Sequence, residues 1–365
     1  VIDAQIIREA IRKKKARKEE FLGFEYLRFS DDFHHIVRGT AIFHDCSVPG
    51  YPHIGRIFML EKGIREQFEV PFWVEEKVDG YNVRVFKTGE RVIALSRGGY
   101  ICPFSTDRLQ DFLNLSFFDE NPDLILCCEV AGPENPYIEE SPPYVNSDVR
   151  FFVFDIMRKE GGEFLSQEEK LSILSDYALP GVEVFGRLRA QDIQKVREIV
   201  MKLDEEGREG IVLKEDRKGG RRAKFITEKA NLSDIKITAG NMLQLPAEYY
   251  TNRILRIVLF MEEEGIERSR RLYTELGRAF IDGLFEAIEQ YKREGKVSRK
   301  FTCRFRTREM ALAQIELLKR TSKHIQILDE SLEKEGDFWV LSFSKVYMNM
   351  TGLLGHLLGG GLVFD

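Results

Sequence analysis

The residues best suited to chemistry are gathered in one stretch, Trp73-Val74-Glu75-Glu76-Lys77-Val78-Asp79-Gly80-Tyr81-Asn82-Val83-Arg84-Val85. Lys77 stands between two runs in which apolar and polar residues alternate, the period of a strand. Asp79-Gly80 separates the runs and has the composition of a tight hairpin turn. A lysine carried at such a corner, beside an aspartate and an approachable backbone, suits nucleophilic attack on phosphorus. An isolated Lys-Asp-Gly reads first as a solvated surface turn, so the rest of the chain must decide.

Four further stretches carry charge at strand ends. Ser96-Arg97-Gly98-Gly99 closes a strand and leaves an arginine beside open backbone. Glu129 lies inside the apolar run Leu124-Ile125-Leu126-Cys127-Cys128-Glu129-Val130-Ala131. A carboxylate there needs a partner or a ligand. Phe154-Asp155 ends another strand, on which Phe152 shares a face with Phe154. Glu209-Gly210-Ile211-Val212-Leu213-Lys214 and Ala223-Lys224 flank a basic turn. From Arg208 to Lys229 there are eight basic and four acidic residues, a local excess that suits phosphate.

These residues need a scaffold, and the chain is long enough for several domains at 365 residues. Hydrophobic content of 43% is sufficient for packed cores, and no apolar run is long enough to span a membrane. The formal net charge of −5 excludes a globally basic protein, so nucleic acid would be met by local patches. The five cysteines form no C-x-x-C pair, and the six histidines show no zinc spacing. A reduced, cytoplasmic setting is the expectation.

The predicted elements place the fold in the α+β class with several domains. Residues 1–68 read as an N-terminal module. Its first twenty residues read as a helix with a basic face, and short strands follow at 24–29 and 38–43. Residues 69–238 are rich in strands, with a capping box at Ser166 and Glu169. Residues 239–298 carry two amphipathic helices, over 246–264 and 267–291, separated by Gly265. Residues 299–365 read as a small α/β module: strand 300–306, helix 310–322, strands 325–328 and 338–345, then an apolar, glycine-rich tail from Leu353 to Phe364.

The ordered set Lys77-x-Asp79-Gly80-x-Asn82, Arg97, Glu129, Phe154-Asp155, Glu209 to Lys214 and Lys224 resembles the covalent nucleotidyltransferase superfamily of ATP-dependent ligases and capping enzymes. Asn82 and Arg97 are similar to the RNA ligase branch. The segments Gly50-Tyr51-Pro52-His53-Ile54-Gly55-Arg56 and Ala230-Asn231-Leu232-Ser233-Asp234-Ile235-Lys236, with the helical and α/β modules, look like the homodimeric, archaeal-type ATP-dependent RNA ligases.

That resemblance implies a central antiparallel-sheet adenylation domain, ATP-grasp-like, with a helical dimerisation segment. It implies ATP and Mg²⁺ (or Mn²⁺) as cofactors. The implied partners are single-stranded RNA with 5′-phosphate and 3′-hydroxyl ends and a second copy of the chain, with no membrane. Lys77 would be the nucleophile that becomes lysyl-AMP. It must deprotonate, which positive neighbours and partial burial would favour. Arg97 would hold phosphate or sugar, Glu129 the ribose hydroxyls, and Phe154 the adenine, supported by Asp155. Glu209 would bind the metal, and Lys214 and Lys224 the α-phosphate. Asn82 would act at the RNA ends, and Glu75 beside the adenine. Ile226 departs from the family, many members of which carry a second lysine there. A DNA ligase would append an OB-fold after the last motif, where this chain is helical. A GTP-using capping enzyme fits the helical C-terminal half poorly.

Overall fold

The computed structural model describes residues 3–322 and 324–363. Four sheets are present among them. The two that matter for chemistry face each other across a cleft. One has the strand order Val184–Leu188, Phe72–Lys77, Gly210–Glu215, Arg222–Ile226, Gly55–Arg56. The other runs Arg150–Arg158, Leu124–Ala131, Tyr81–Thr88, Arg91–Ser96.

This arrangement corrects the predicted hairpin. Phe72–Lys77 pairs with Val184–Leu188 and Gly210–Glu215, whereas Tyr81–Thr88 pairs with Arg91–Ser96 and Leu124–Ala131. The apolar faces explain the separation. Phe72 and Val74 pack with Ile211, Leu213 and Phe225, while Val83 and Val85 pack with Leu126, Cys128 and Phe151. The segment 78–80 therefore crosses between sheets, and Lys77 sits at the crossing. Gly80 is required by close approach: a β-carbon there would lie 2.5 Å from the Val130 carbonyl oxygen.

The first sheet alternates cleanly. Phe72, Val74, Ile211, Leu213, Ala223 and Phe225 face a core closed by the helices Leu60–Gln67 and Ile193–Glu205. The opposite face carries Glu75, Lys77, Lys214, Arg222 and Lys224, and all but Arg222 line the cleft. The strand Gly55–Arg56, from the N-terminal segment, joins this sheet by parallel pairing with Arg222–Ile226.

The predicted N-terminal helix is shorter than expected. It ends at Arg12, Lys14 adopts a left-handed φ of 57°, and Ala16–Phe21 is a strand. The 38–43 strand is reduced to Ala41–Ile42. The helices Glu248–Glu264 and Arg270–Glu294 are present, and Gly265 caps the first at φ 63°. The C-terminal module is a three-stranded sheet, Ser298–Phe305, Phe338–Tyr347 and Ile325–Glu335, with the helix Arg308–Thr321. It shares a core with the second sheet, where Phe305 meets Phe104 edge-on at 5.4 Å. The first half of the predicted tail belongs to a helix, Met348–Leu358; glycines at 352 and 355 disguise it in the sequence, and at 355 a β-carbon would lie 2.5 Å from the Tyr291 hydroxyl. Phe364 lies outside the described residues.

Candidate active site

Strand register builds the site. Lys77 pairs with Gly210 and Gly210 with Ile226, so the three form one row across the sheet. Gly210 holds φ 154°, and a β-carbon there would meet the Phe225 carbonyl at 2.0 Å. Glu209, the preceding residue, accepts from Lys77 Nζ at 2.5 Å. Burial alone would lower the Lys77 pKa. Glu209, Glu129 and Asp79 more than offset it and hold the ammonium form above the ordinary lysine range. This corrects the expectation of a depressed lysine: the nearby carboxylates outweigh the effect of burial. Asp79 is itself pushed up to about 9 by burial and by Glu209, Glu140 and Asp234, against the pull of Lys77.

The second sheet supplies the facing wall. Asn82 pairs with Glu129, and Glu129 with Phe152. Glu129 receives no side-chain hydrogen bond among the described residues. Burial lifts its carboxyl to about 7, with Glu209 adding and Lys77, Arg97 and Lys224 opposing. Asn82 Oδ1 is buried without a hydrogen-bond partner among the described residues. Both are acceptors awaiting a donor. Phe154 stands at a β-bulge, because the register slips between Val153 and Asp155. The bulge frees the Phe154 carbonyl from the ladder, and Lys214 and Lys170 donate to it at 2.6 and 3.0 Å. The Phe154 ring meets Tyr51 edge-on at 5.3 Å and lines the cleft.

Beneath the cleft lies a buried charge cluster. Glu75 binds Lys214 at 2.6 Å and also Lys170, while Gln167 donates to it. Asp155 binds Lys214 at 3.0 Å, Arg222 at 3.4 Å and the Tyr51 hydroxyl at 2.6 Å. Burial would raise the Asp155 carboxyl, but Lys214, Arg222, Lys170 and Tyr51 bring it to about 2. The Lys214 amine thus meets three protein oxygens and bridges the two sheets. The Glu76 side chain is held by Arg208 and the Tyr144 hydroxyl.

Lys77, Asn82, Arg97, Glu129, Phe154 and Lys224 line one cleft of about 480 Å³, with Glu75 and Lys214 at its floor. Asp155 lies beneath that floor, and Glu209 reaches the cleft through Lys77. Arg97 is exposed and lies 3.4 Å from His53 Nδ1. Burial, Arg56, Lys77 and Arg97 lower Lys224 to about 8, with Glu209 opposing. Among the described residues no group of three or more His, Cys, Asp or Glu could hold a metal by itself. Glu209 and phosphate oxygens together fit Mg²⁺, which takes one or two carboxylates and relies on phosphates for the rest.

Residues 70–226 match the RNA ligase family, and residues 237–361 match the C-terminal region of the ligase Pab1020. An uncharacterized protein of Methanocaldococcus jannaschii is 30% identical over 98% of this chain and 93% of its own. The chain belongs to the archaeal-type RNA ligase family. The solved structure of an archaeal ATP-dependent RNA ligase is 27% identical, covers 99% of this chain and 97% of its own, and superposes with a TM-score of 0.89. A protein of Aquifex aeolicus, named as a candidate ATP-dependent DNA ligase, is 63% identical over 99% of this chain and 100% of its own, with a TM-score of 0.97.

Sequence reasoning missed several residues of this ligase's cleft. Tyr51 and Ile54 enter from the N-terminal loop, and Tyr137 from the loop after the Glu129 strand. Lys170, which pairs with Glu75 beneath the cleft, sits on the helix Gln167–Asp176 and carries no signal in the sequence. The loop Gly50 to Arg56 did carry a signal, because it forms part of the family resemblance.

Proposed function

We propose that this ligase joins 5′-phosphate and 3′-hydroxyl ends of single-stranded RNA, through lysyl-AMP and an RNA-adenylate. The observation that carries the reading is the convergence of two sheets on Lys77. Lys77 bears a paired carboxylate and shares one cleft with Glu129, Asn82, an aromatic platform and further cations, and the Asn82 oxygen has no partner among the described residues. ATP is the nucleotide in this reading. Its adenine lies against Phe154, whose bulged backbone is held by Lys170 and Lys214. Its ribose hydroxyls donate to Glu129. Lys224 faces the α-phosphate and Arg97 the outer rim.

In the first step the Lys77 Nζ lone pair forms a bond to the α-phosphorus, and the bond to the bridging oxygen of pyrophosphate breaks. The amine must first give up its proton, and the Lys77–Glu209 contact at 2.5 Å must open for the lone pair to reach phosphorus. A divalent cation, when bound at Glu209, supplies neutralisation of phosphate charge. AMP then moves to the RNA 5′-phosphate, and attack by the 3′-hydroxyl releases it. Asn82, with its free acceptor, orients the groups at that junction. Lys214 acts by positioning Phe154 and Glu75.

We assign adenylyl transfer to residues 69–238 and dimerisation to residues 239–298. The helix Arg270–Glu294 exposes Tyr273, Ile281 and Phe285 at four- and eight-residue spacing, each 51–60% exposed. A second copy of the chain covers this stripe in our reading. We place the protein in the cytoplasm, where five unpaired cysteines persist. No described helix is long and apolar enough to cross a membrane.

The test is labelling with α-labelled ATP and Mg²⁺. Label should appear on the protein, be lost with Lys77→Ala, and pass to 5′-phosphate RNA. Failure of wild type to label, or label on Lys77→Ala, sinks the reading. The Aquifex relative's name favours a second reading, DNA ligation. Efficient sealing of nicked duplex DNA with no joining of RNA would establish it instead.

A further inference from the structure

A row of the cleft sheet continues past the adenylation residues to the sheet edge. Register places Glu75, Val212, Lys224 and Arg56 side by side on four neighbouring strands. Paired residues share a face, and neighbouring strands lie about 4.8 Å apart. Arg56 thus stands one strand beyond Lys224, on the face that carries Lys77. It is exposed and comes from the N-terminal segment.

The helix Glu248–Glu264 brings two more arginines to this edge. Arg253 and Arg256 are three residues apart and share a helix face. The Arg256 guanidinium lies 5.4 Å from the ring of Phe58, two residues beyond Arg56. Arg256 is buried, donates to Asn231 Oδ1 at 3.1 Å, and leaves its Nε without a partner among the described residues. Among the described residues no carboxylate pairs with it. Arg253 is neutralised by Asp234. A buried guanidinium lacking a counter-charge is costly in a folded protein. Burial, Arg56 and Arg253 depress Arg256 to about 10, which records the same crowding of cations.

We propose that Arg56 and Arg256 form an oxyanion subsite beside Lys224, built jointly by the N-terminal segment and the helical segment, that takes a second phosphate group. This rests on the adenylyl-transfer reading above. The shared chemistry is a phosphate oxyanion, and two sources supply one: the pyrophosphate that leaves ATP and the 5′-phosphate of RNA. Either would neutralise the row's outer cations while the α-phosphate sits at Lys224.

The experiment uses the full-length protein, pre-adenylated on Lys77, with Arg56→Ala, Arg56→Lys and Arg256→Met. In one arm added pyrophosphate reverses adenylation, and the concentration giving half-maximal ATP release is read. In the other, without ATP, AMP passes to 5′-phosphate RNA, and the half-maximal RNA concentration is read. Loss of a charge-assisted phosphate contact predicts a rise of roughly tenfold or more for Arg56→Ala. A rise in the first arm assigns the leaving group, and a rise in the second assigns the RNA end. A rise in both means that the subsite serves the two in turn. Arg56→Lys should recover part of the loss, because the charge is retained. Arg56 is exposed at a sheet edge, so its variants fold, and they alone decide the outcome if Arg256→Met lowers the melting midpoint. Values for Arg56→Ala equal to wild type in both arms overturn the subsite while leaving adenylation intact. A wild-type protein that never labels removes the underlying reading as well.

Discussion

Replacing Arg208 by methionine tests the clamp that sets the nucleophile against its carboxylate. Arg208 and Glu76 immediately precede Glu209 and Lys77. Arg208 Nε donates to Glu76 Oε1 at 2.8 Å, and its guanidinium also reaches Glu183 at 2.5 Å. Glu76 and Arg208 are both buried. Methionine keeps much of the stem and removes the charge, which leaves Glu76 with the Tyr144 hydroxyl at 2.7 Å. Breaking a buried pair from one side costs about 3–5 kcal/mol, and the surviving Tyr144 bond points to the lower end, about 3 kcal/mol. For a domain of this size each kcal/mol moves the melting midpoint ~2–4 °C, so a fall of roughly 6–12 °C is expected. Adenylation should slow as well, by roughly 10–100-fold, since a displacement of ~1 Å at a reacting group costs about that much. Adding Glu76→Gln to Arg208→Met removes the stranded charge and should restore about 1–2 kcal/mol. Circular dichroism melting and single-turnover AMP transfer read the two effects. A midpoint within about 2 °C of wild type for Arg208→Met, or no recovery in the double variant, refutes the reasoning.

Other expectations follow from the same geometry. Phe285→Glu places a charge in the exposed stripe and should convert a dimer to a monomer near 42.4 kDa by light scattering; a wild-type protein that is already monomeric at micromolar concentration rejects the interface. Gly80→Ala puts a β-carbon 2.5 Å from the Val130 oxygen and 2.9 Å from Glu129 Cγ, so the KM for ATP should rise at least ~tenfold as Glu129 is displaced; an unchanged KM would show that the crossing has slack. Asp155 is depressed to about 2 when folded, so its stabilisation is complete above its ordinary value of 3.8 and is lost as pH falls through about 2. That difference corresponds to about 2 kcal/mol, and an Asp155→Asn variant should lack this part of the acid limb in pH-dependent melting.

The candidate site was legible because its residue types are rare where they stand. Glu129 in an apolar strand and Lys77 before Asp79-Gly80 are conspicuous without coordinates. The helices Glu248–Glu264 and Arg270–Glu294 were legible too, since a repeat near 3.6 is a local property. The two-sheet crossing at Asp79-Gly80 was not. Alternation identifies a strand but does not name its partner, and the partners of Phe72–Lys77 lie more than a hundred residues downstream.

The sequence by itself determined which side chains could act on a phosphate, and that elements of both kinds would carry them. Only the tertiary structure decided their states. Lys77 meets Glu209 across 132 residues of chain, and that contact favours its ammonium form against the effect of burial. Lys214, which reads as a phosphate ligand, is drawn into the bridge between sheets because Glu75, Asp155 and the bulged Phe154 carbonyl converge on it. Arg56 gains its place beside Lys224 through one short parallel pairing. The physical reason is common to all three: charge and reactivity follow the nearest neighbours in space, and in a sheet those neighbours are set by which apolar faces find a shared core.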